Sequence, residues 1–75
     1  MPTERGLTIA NLKAWRQHAA LTQQELADKA KLARATVSRA ESGGAISIPH
    51  VRQLAEALGI PVERLRFENP DKVRS

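Results

Sequence analysis

The sequence of 75 residues has no cysteine, and its aromatic residues are limited to Trp15 and Phe67. Without cysteine the chain can form neither a disulfide framework nor a thiolate metal site. Two rings are too few for a surface that stacks single-stranded nucleic acid, or for a sheet-based RNA-binding module. No apolar run approaches the roughly 20 residues of a membrane span, and the first residues lack the apolar segment of a secretory signal. We therefore expect a cytoplasmic protein without a membrane anchor.

The chain is basic, with a net charge of +4 from 12 Lys and Arg against 8 Asp and Glu. A positive excess is typical of proteins that bind polyanions, although many other soluble proteins share it. The length supports a single domain over residues 1–75, with a small core that a partner subunit would help to stabilise. We expect this core to span about residues 8–65, and residues 66–75 to form a loose polar tail.

Apolar residues recur every three or four positions and do not alternate, which predicts helices and no strands. Five short helices are expected, at about 8–19, 22–30, 34–41, between Ser47 and Gly59, and at about 60–65. Thr22 and Glu25 form a capping box at the start of the second helix, and the glycines at 43–44 end the third. The predicted fold class is therefore all-α.

The third predicted helix has two faces of different chemistry. Val37 and Ala40 form its buried face. The outward face carries Arg34, Ala35, Ser38 and Arg39. An arginine can donate two hydrogen bonds to O6 and N7 of guanine, a serine can donate or accept, and an alanine can contact the thymine methyl group. This face is therefore a candidate for reading base edges in a DNA major groove.

Two predicted helix N-termini offer free amides and a positive dipole end to DNA phosphates. The first lies at Thr22 and Gln23, and the second lies at Ser47, where His50 adds polar reach. Contacts of this kind position a protein on the duplex without reading its sequence.

The runs from Leu21 to Ala30 and from Ala33 to Gly43 resemble the helix-turn-helix of the Cro and phage-repressor type. Residues 54–61 resemble the fourth helix and exit turn of that family, so the resemblance covers about residues 8–65. It implies a lambda-repressor-like domain of five helices, in a sequence-specific transcriptional regulator that binds double-stranded DNA.

The resemblance also implies roles for individual residues. Gln23 matches a glutamine that contacts the DNA backbone or a base edge, and Ser42 and Gly43 match positions that contact the backbone. Arg16 and Glu41 match a pair that often forms a salt bridge between the first and third helices. The base-facing positions of the family match Arg34, Ala35, Ser38 and Arg39.

Three residues depart from the pattern of the family. Lys31 and Ala20 stand where glycine is usual. A lysine at position 31 could adopt a positive φ at a cost of about 1 kcal/mol, and a similar penalty is expected at Ala20. Ala33 replaces the usual Ser or Thr cap of the recognition helix, with an expected loss of about 1 kcal/mol.

No arrangement of serine, histidine and acidic residues indicates catalysis. His18 and His50 lie on separate predicted helices without a third ligand at a suitable spacing, which makes a poor metal site. We therefore expect a protein that is not an enzyme and that needs no metal or cofactor.

One recognition helix reads only a few base pairs, so we expect a homodimer on a palindromic operator. Val62 and Phe67, in the apolar segment after the fourth helix, are the candidate interface residues. The alternative is that Ile60, Val62 and Leu65 close the core of the monomer while Phe67 folds back on Trp15.

Three biological roles fit the resemblance: a phage-type repressor, a restriction-modification controller, or an antitoxin with a cognate toxin as its partner. The rival from another class is a protein-interaction module or adaptor that uses this helical fold without specific DNA readout. Such a module should carry apolar anchors on the outward face of the third helix, where this chain has Arg34, Ser38 and Arg39.

Overall fold

The computed structural model describes residues 6–70, which form five α-helices. The helices are α1 (Leu12–His18), α2 (Gln23–Ala30), α3 (Arg34–Glu41), α4 (Ile48–Leu58) and α5 (Val62–Phe67). Within these residues, β pairing is limited to an isolated antiparallel bridge between Leu7 and Ile46. The predicted all-α fold class is confirmed. None of the described helices combines the length and apolar character needed to cross a membrane.

One hydrophobic core joins the helices. α2 packs against both α3 and α4, while α1 contacts α3 and α5. The largest fully buried side chains are Ile9, Leu12, Leu26, Val37, Val51, Leu54 and Leu65. Burial of these side chains is the main force that holds short helices together, because helices of this length are marginal in isolation.

The helix ends follow from local hydrogen bonds. The Glu25 amide donates to Thr22 Oγ1 at 3.0 Å, and the Thr22 amide donates to Glu25 Oε1 at 2.8 Å. This reciprocal pair confirms the predicted capping box. Gly59 ends α4 with a φ of 72°, and Ser47 occupies the N-cap position of α4 without a capping bond from its hydroxyl.

The first helix is shorter than the predicted 8–19, because the segment before it pairs with the loop between α3 and α4. Leu7 and Ile46 exchange backbone hydrogen bonds of 2.8 and 3.0 Å. Ile9 is buried all the same, which explains why its apolar spacing predicted a longer helix. α5 begins at Val62 rather than at residue 60, since Pro61 is its extended N-cap.

The expected loose tail from residue 66 does not hold for residues 66–70. α5 continues to Phe67, and the Glu68 carbonyl accepts hydrogen bonds from Trp15 Nε1 at 2.9 Å and Asn11 Nδ2 at 3.2 Å. Pro70 is buried. The indole N–H of the buried Trp15 needs an acceptor, and the chain after α5 provides it. Residues 71–75 lie outside the described part of the chain.

Two residues take the left-handed conformation expected where they replace glycine. The φ of Ala20 is 60° and that of Lys31 is 62°. Lys31 caps α2 at its C-terminus, where its amide donates to backbone carbonyls of the last turn. The neighbouring Ala30 carbonyl accepts a hydrogen bond of 2.9 Å from Gln53 Nε2, which fastens this end of α2 to α4.

Replacement of Lys31 by glycine should therefore stabilise the protein. The glycine removes the steric cost of a left-handed backbone at a helix C-terminus, and we expect the free energy of unfolding to rise by about 0.5–1 kcal/mol. Lys29→Gly, two residues earlier inside α2, is the matched control and should lower it by about 1 kcal/mol. Urea unfolding measures both. Equal destabilisation by the two variants would contradict the left-handed conformation of Lys31.

Candidate nucleic-acid interface

The outward face of α3 carries the predicted base-contacting residues. Arg34, Ala35 and Arg39 are exposed and Ser38 is half-buried, whereas the opposite face of α3 is buried in the core. Among residues 6–70, no hydrogen bond or ion pair engages the guanidinium groups of Arg34 and Arg39. Two cationic groups thus project from one rigid helix and are available to a ligand.

A largely buried ion pair anchors α3 to α1. Arg16 Nε donates to Glu41 Oε2 at 2.5 Å and Arg16 Nη2 donates to Glu41 Oε1 at 3.2 Å, and the side chains are only 12% and 6% exposed. Arg16 Nη1 also donates to the Leu21 carbonyl at 2.8 Å. A carboxylate near a helix C-terminus opposes the helix dipole, so the arginine also offsets that unfavourable interaction. The pair fixes the end of α3 relative to α1 and the following turn.

Gln23 joins the same network from the first position of α2. Its Nε2 donates to Glu41 Oε1 at 3.0 Å. A carboxylate only accepts hydrogen bonds, so the amide nitrogen must face it and the amide oxygen points away. Sequence reasoning had assigned Gln23 to DNA alone. The link to Glu41 was missed because no local pattern connects residues 18 positions apart.

The five predicted backbone-contacting residues lie at helix ends and in the loop after α3. Four of them are exposed and His50 is half-buried; they are Thr22, Ser42, Gly43, Ser47 and His50. The hydroxyl oxygen of Thr22 accepts the Glu25 amide, which leaves its hydroxyl proton for another acceptor. Ser47 makes no capping bond, so its hydroxyl is available at the N-terminus of α4.

The two predicted interface residues differ in their burial. Val62 packs partly against the core, whereas Phe67 is 68% exposed. Phe67 therefore does not fold back on Trp15, whose ring lies under the Arg64 guanidinium at 5.4 Å. The Arg66 guanidinium lies 4.6 Å from the centre of the Phe67 ring. Leu65 is fully buried and closes the core of the monomer, as expected in the alternative that assigned this role to Ile60, Val62 and Leu65.

Arg64 of α5 forms an ion pair with Glu68, the residue that follows the helix. Arg64 Nε donates to Glu68 Oε1 at 2.9 Å, and both side chains are more than 40% exposed.

In the part of the chain that the structure describes, no group of three His, Cys, Asp or Glu side chains could hold a metal ion. The candidate site is thus a surface of cationic and hydrogen-bonding groups, with no metal centre in the described residues.

Comparison with known proteins agrees with this geometry. The family model described as helix-turn-helix matches residues 12–65, which include α1 to α4 and most of α5. The chain belongs to the helix-turn-helix family. No curated protein sequence gives a significant match.

Solved structures that resemble this helix-turn-helix chain include the following two. The restriction-modification controller protein C.AhdI from Aeromonas hydrophila is 32% identical, with a TM-score of 0.71 over 73% of this chain and 85% of that one. A chain in the complex of the SinR and SinI proteins is 26% identical, with a TM-score of 0.71 over 85% of this chain and 64% of that one. The protein is a DNA-binding transcriptional regulator of the Cro/C1 type.

Proposed function

We propose that this protein binds a palindromic operator as a homodimer, with α3 of each subunit in the major groove. The observation that carries the proposal is the division of α3 into a buried face and an outward face with Arg34 and Arg39. A recognition helix needs this division, because its buried face holds it rigid while the other face reaches base edges.

The base readout is assigned to four residues of α3 and to Gln23. Arg34 and Arg39 each suit guanine O6 and N7, Ser38 suits either a donor or an acceptor, and Ala35 suits a thymine methyl group. The amide oxygen of Gln23, directed away from Glu41, suits the amino group of adenine or cytosine. Its second N–H remains available for a phosphate, so Gln23 can serve both readout and positioning.

The DNA backbone contacts are assigned to exposed and half-buried groups around α3. The free amides at the start of α2 and the hydroxyl groups of Thr22 and Ser47 can each donate to a phosphate oxygen. Ser42 and Gly43, at the end of α3, and His50 in the first turn of α4 complete the set. These contacts would fix the docking angle of α3 without reading sequence.

The dimer would place two α3 helices about 34 Å apart in successive major grooves. Val62 and Phe67 are the proposed interface residues, supported by the exposure of the Phe67 ring. Glu68 is already paired with Arg64 within the subunit. Contacts across the two-fold axis of the dimer are therefore assigned to the apolar residues and to Glu63. Two half-sites give the specificity that one short helix lacks.

Occupancy of an operator that overlaps a promoter would repress transcription in the cytoplasm, without a cofactor or enzymatic step. Of the three roles open to the family, the similarity to C.AhdI supports a restriction-modification controller over a phage repressor or an antitoxin with a toxin partner. The rival role, a protein-interaction module without DNA readout, is disfavoured by the polar outward face of α3. The similarity to a chain in the SinR–SinI complex is compatible with an additional protein partner.

Substitution of Arg39 by alanine tests the readout. The variant should lose about 1–3 kcal/mol of binding free energy on the preferred operator and much less on random duplex DNA, because only the operator offers the matched guanine. Fluorescence anisotropy on the two duplexes measures both losses at several salt concentrations.

Lys29→Ala is the matched control, since it also removes one positive charge but lies in the last turn of α2. It should weaken binding to both duplexes by the same small factor. Equal losses on operator and random DNA for Arg39→Ala, with a salt dependence reduced by about one ion, would assign Arg39 to a phosphate instead.

A further inference from the structure

Gly44 has no backbone reason to be glycine. Of the two glycines that follow α3, only Gly43 has a positive φ, at 97°. A side chain at position 44 would therefore meet no penalty from a positive φ, and the expectation that both glycines end the helix accounts for Gly43 alone. The reason for glycine at position 44 must be steric.

The missing side chain at Gly44 makes room for Arg39. A Cβ atom at position 44 would lie 2.7 Å from Arg39 Cγ, 3.1 Å from the Arg39 carbonyl oxygen and 3.4 Å from Arg39 Nε. The shortest of these contacts is with the aliphatic part of the arginine side chain, which therefore passes directly over the glycine. The Gly44 amide also donates to the Arg39 carbonyl at 2.9 Å, which fixes the two backbones together. A Cβ at Gly43, by contrast, would meet no atom within 4 Å.

We propose that Gly44 is a positioning residue: the aliphatic part of the Arg39 side chain packs against it, and this contact orients the guanidinium toward the DNA bases. This inference rests on the proposed function of Arg39 in readout. A long exposed side chain loses conformational entropy when it binds, and a contact that restricts its rotamers in the free protein reduces that loss. Gly44 acts through Arg39 and touches no base itself.

A double-mutant cycle tests this role. Gly44→Ala should weaken binding to the selected operator about three- to tenfold, the factor expected for disorder of one long side chain. In the Arg39→Ala background the same substitution should change binding by no more than about twofold, because the displaced side chain is gone and only the contact with the backbone carbonyl oxygen of residue 39 remains. Equal weakening in both backgrounds would overturn the proposal.

Gly43→Ala is the matched control, because it strains the same loop without touching Arg39. It should lower the melting temperature and weaken binding by the same factor in both backgrounds. Circular dichroism confirms that each variant is folded before its affinity is compared.

A measurement without DNA separates this inference from the proposed function. In the free protein, nuclear Overhauser contacts should connect the Gly44 α-protons to the Arg39 side chain, and Gly44→Ala should raise the mobility of the Arg39 Nε–H group. Absence of these contacts in the wild type would overturn the claim that Gly44 positions the Arg39 side chain, whatever the DNA-binding results are. If the contacts are present but no duplex is preferred, the proposed function and the role of Arg39 in readout are wrong. The packing of the Arg39 side chain against Gly44 is then still correct.

Discussion

Arg16→Ala should lower the free energy of unfolding by about 3–5 kcal/mol, the cost expected when one partner of a largely buried ion pair is left unpaired. Glu41 would keep its hydrogen bond from Gln23 but lose both bonds from Arg16, at a side chain that is only 6% exposed. The total stability expected for 75 residues is about 4–11 kcal/mol, so the substitution should remove a large fraction of it. Urea unfolding followed by circular dichroism measures the loss.

The matched control is Glu68→Ala, which breaks the exposed pair with Arg64. This variant keeps the backbone carbonyl that Trp15 and Asn11 bind, and it should cost about 0–1 kcal/mol. Replacement of Arg16 and Glu41 together by Met and Leu should recover part of the loss, because no uncompensated charge then remains. A change below 1 kcal/mol for Arg16→Ala would show that water reaches the pair in solution.

Phe67→Asp should convert the proposed dimer to a monomer at micromolar concentration and weaken binding to the proposed palindromic operator by about a hundredfold or more. The aspartate places a charge in an apolar interface, and the second half-site then no longer binds at the effective concentration that dimerisation provides. Phe67 is 68% exposed, so the substitution should leave the core of the monomer intact. Analytical ultracentrifugation measures the mass, and anisotropy measures the affinity.

Phe67→Leu keeps an apolar side chain at the same position and should remain dimeric. Binding of Phe67→Asp to an isolated half-site should match that of the wild-type subunit, because α3 is untouched. A wild type that sediments as a monomer, and that binds one half-site as tightly as the palindrome, would contradict the dimer.

Much of the fold could be predicted because short-range rules govern helices. The bounds of α3 match the predicted 34–41, since apolar spacing and a terminating glycine both act within the helix. α1 was predicted too long because Ile9 has helical spacing, although it reaches the core from a segment held by Ile46. The order of residues 66–70 was not predicted, because the hydrogen bonds to the Glu68 carbonyl come from Asn11 and Trp15, more than 50 positions away.

The candidate site was predicted less completely than the fold. Periodicity indicated which residues of α3 face outward, and the family resemblance suggested that Arg16 pairs with Glu41. Neither source indicates that Gln23 shares the Glu41 carboxylate or that Gly44 lies under Arg39. Both contacts depend on how side chains from different segments meet, and binary apolar patterns do not encode such contacts.

Selection of binding sites from random double-stranded DNA tests the central claim most directly. The purified wild-type chain should enrich one palindromic sequence, with two half-sites about 10–10.5 base pairs apart and with guanines opposite Arg34 or Arg39. The variant in which both arginines are alanine should lose those guanines from its enriched sequence. Failure of the wild-type protein to enrich any sequence would contradict specific DNA readout by α3.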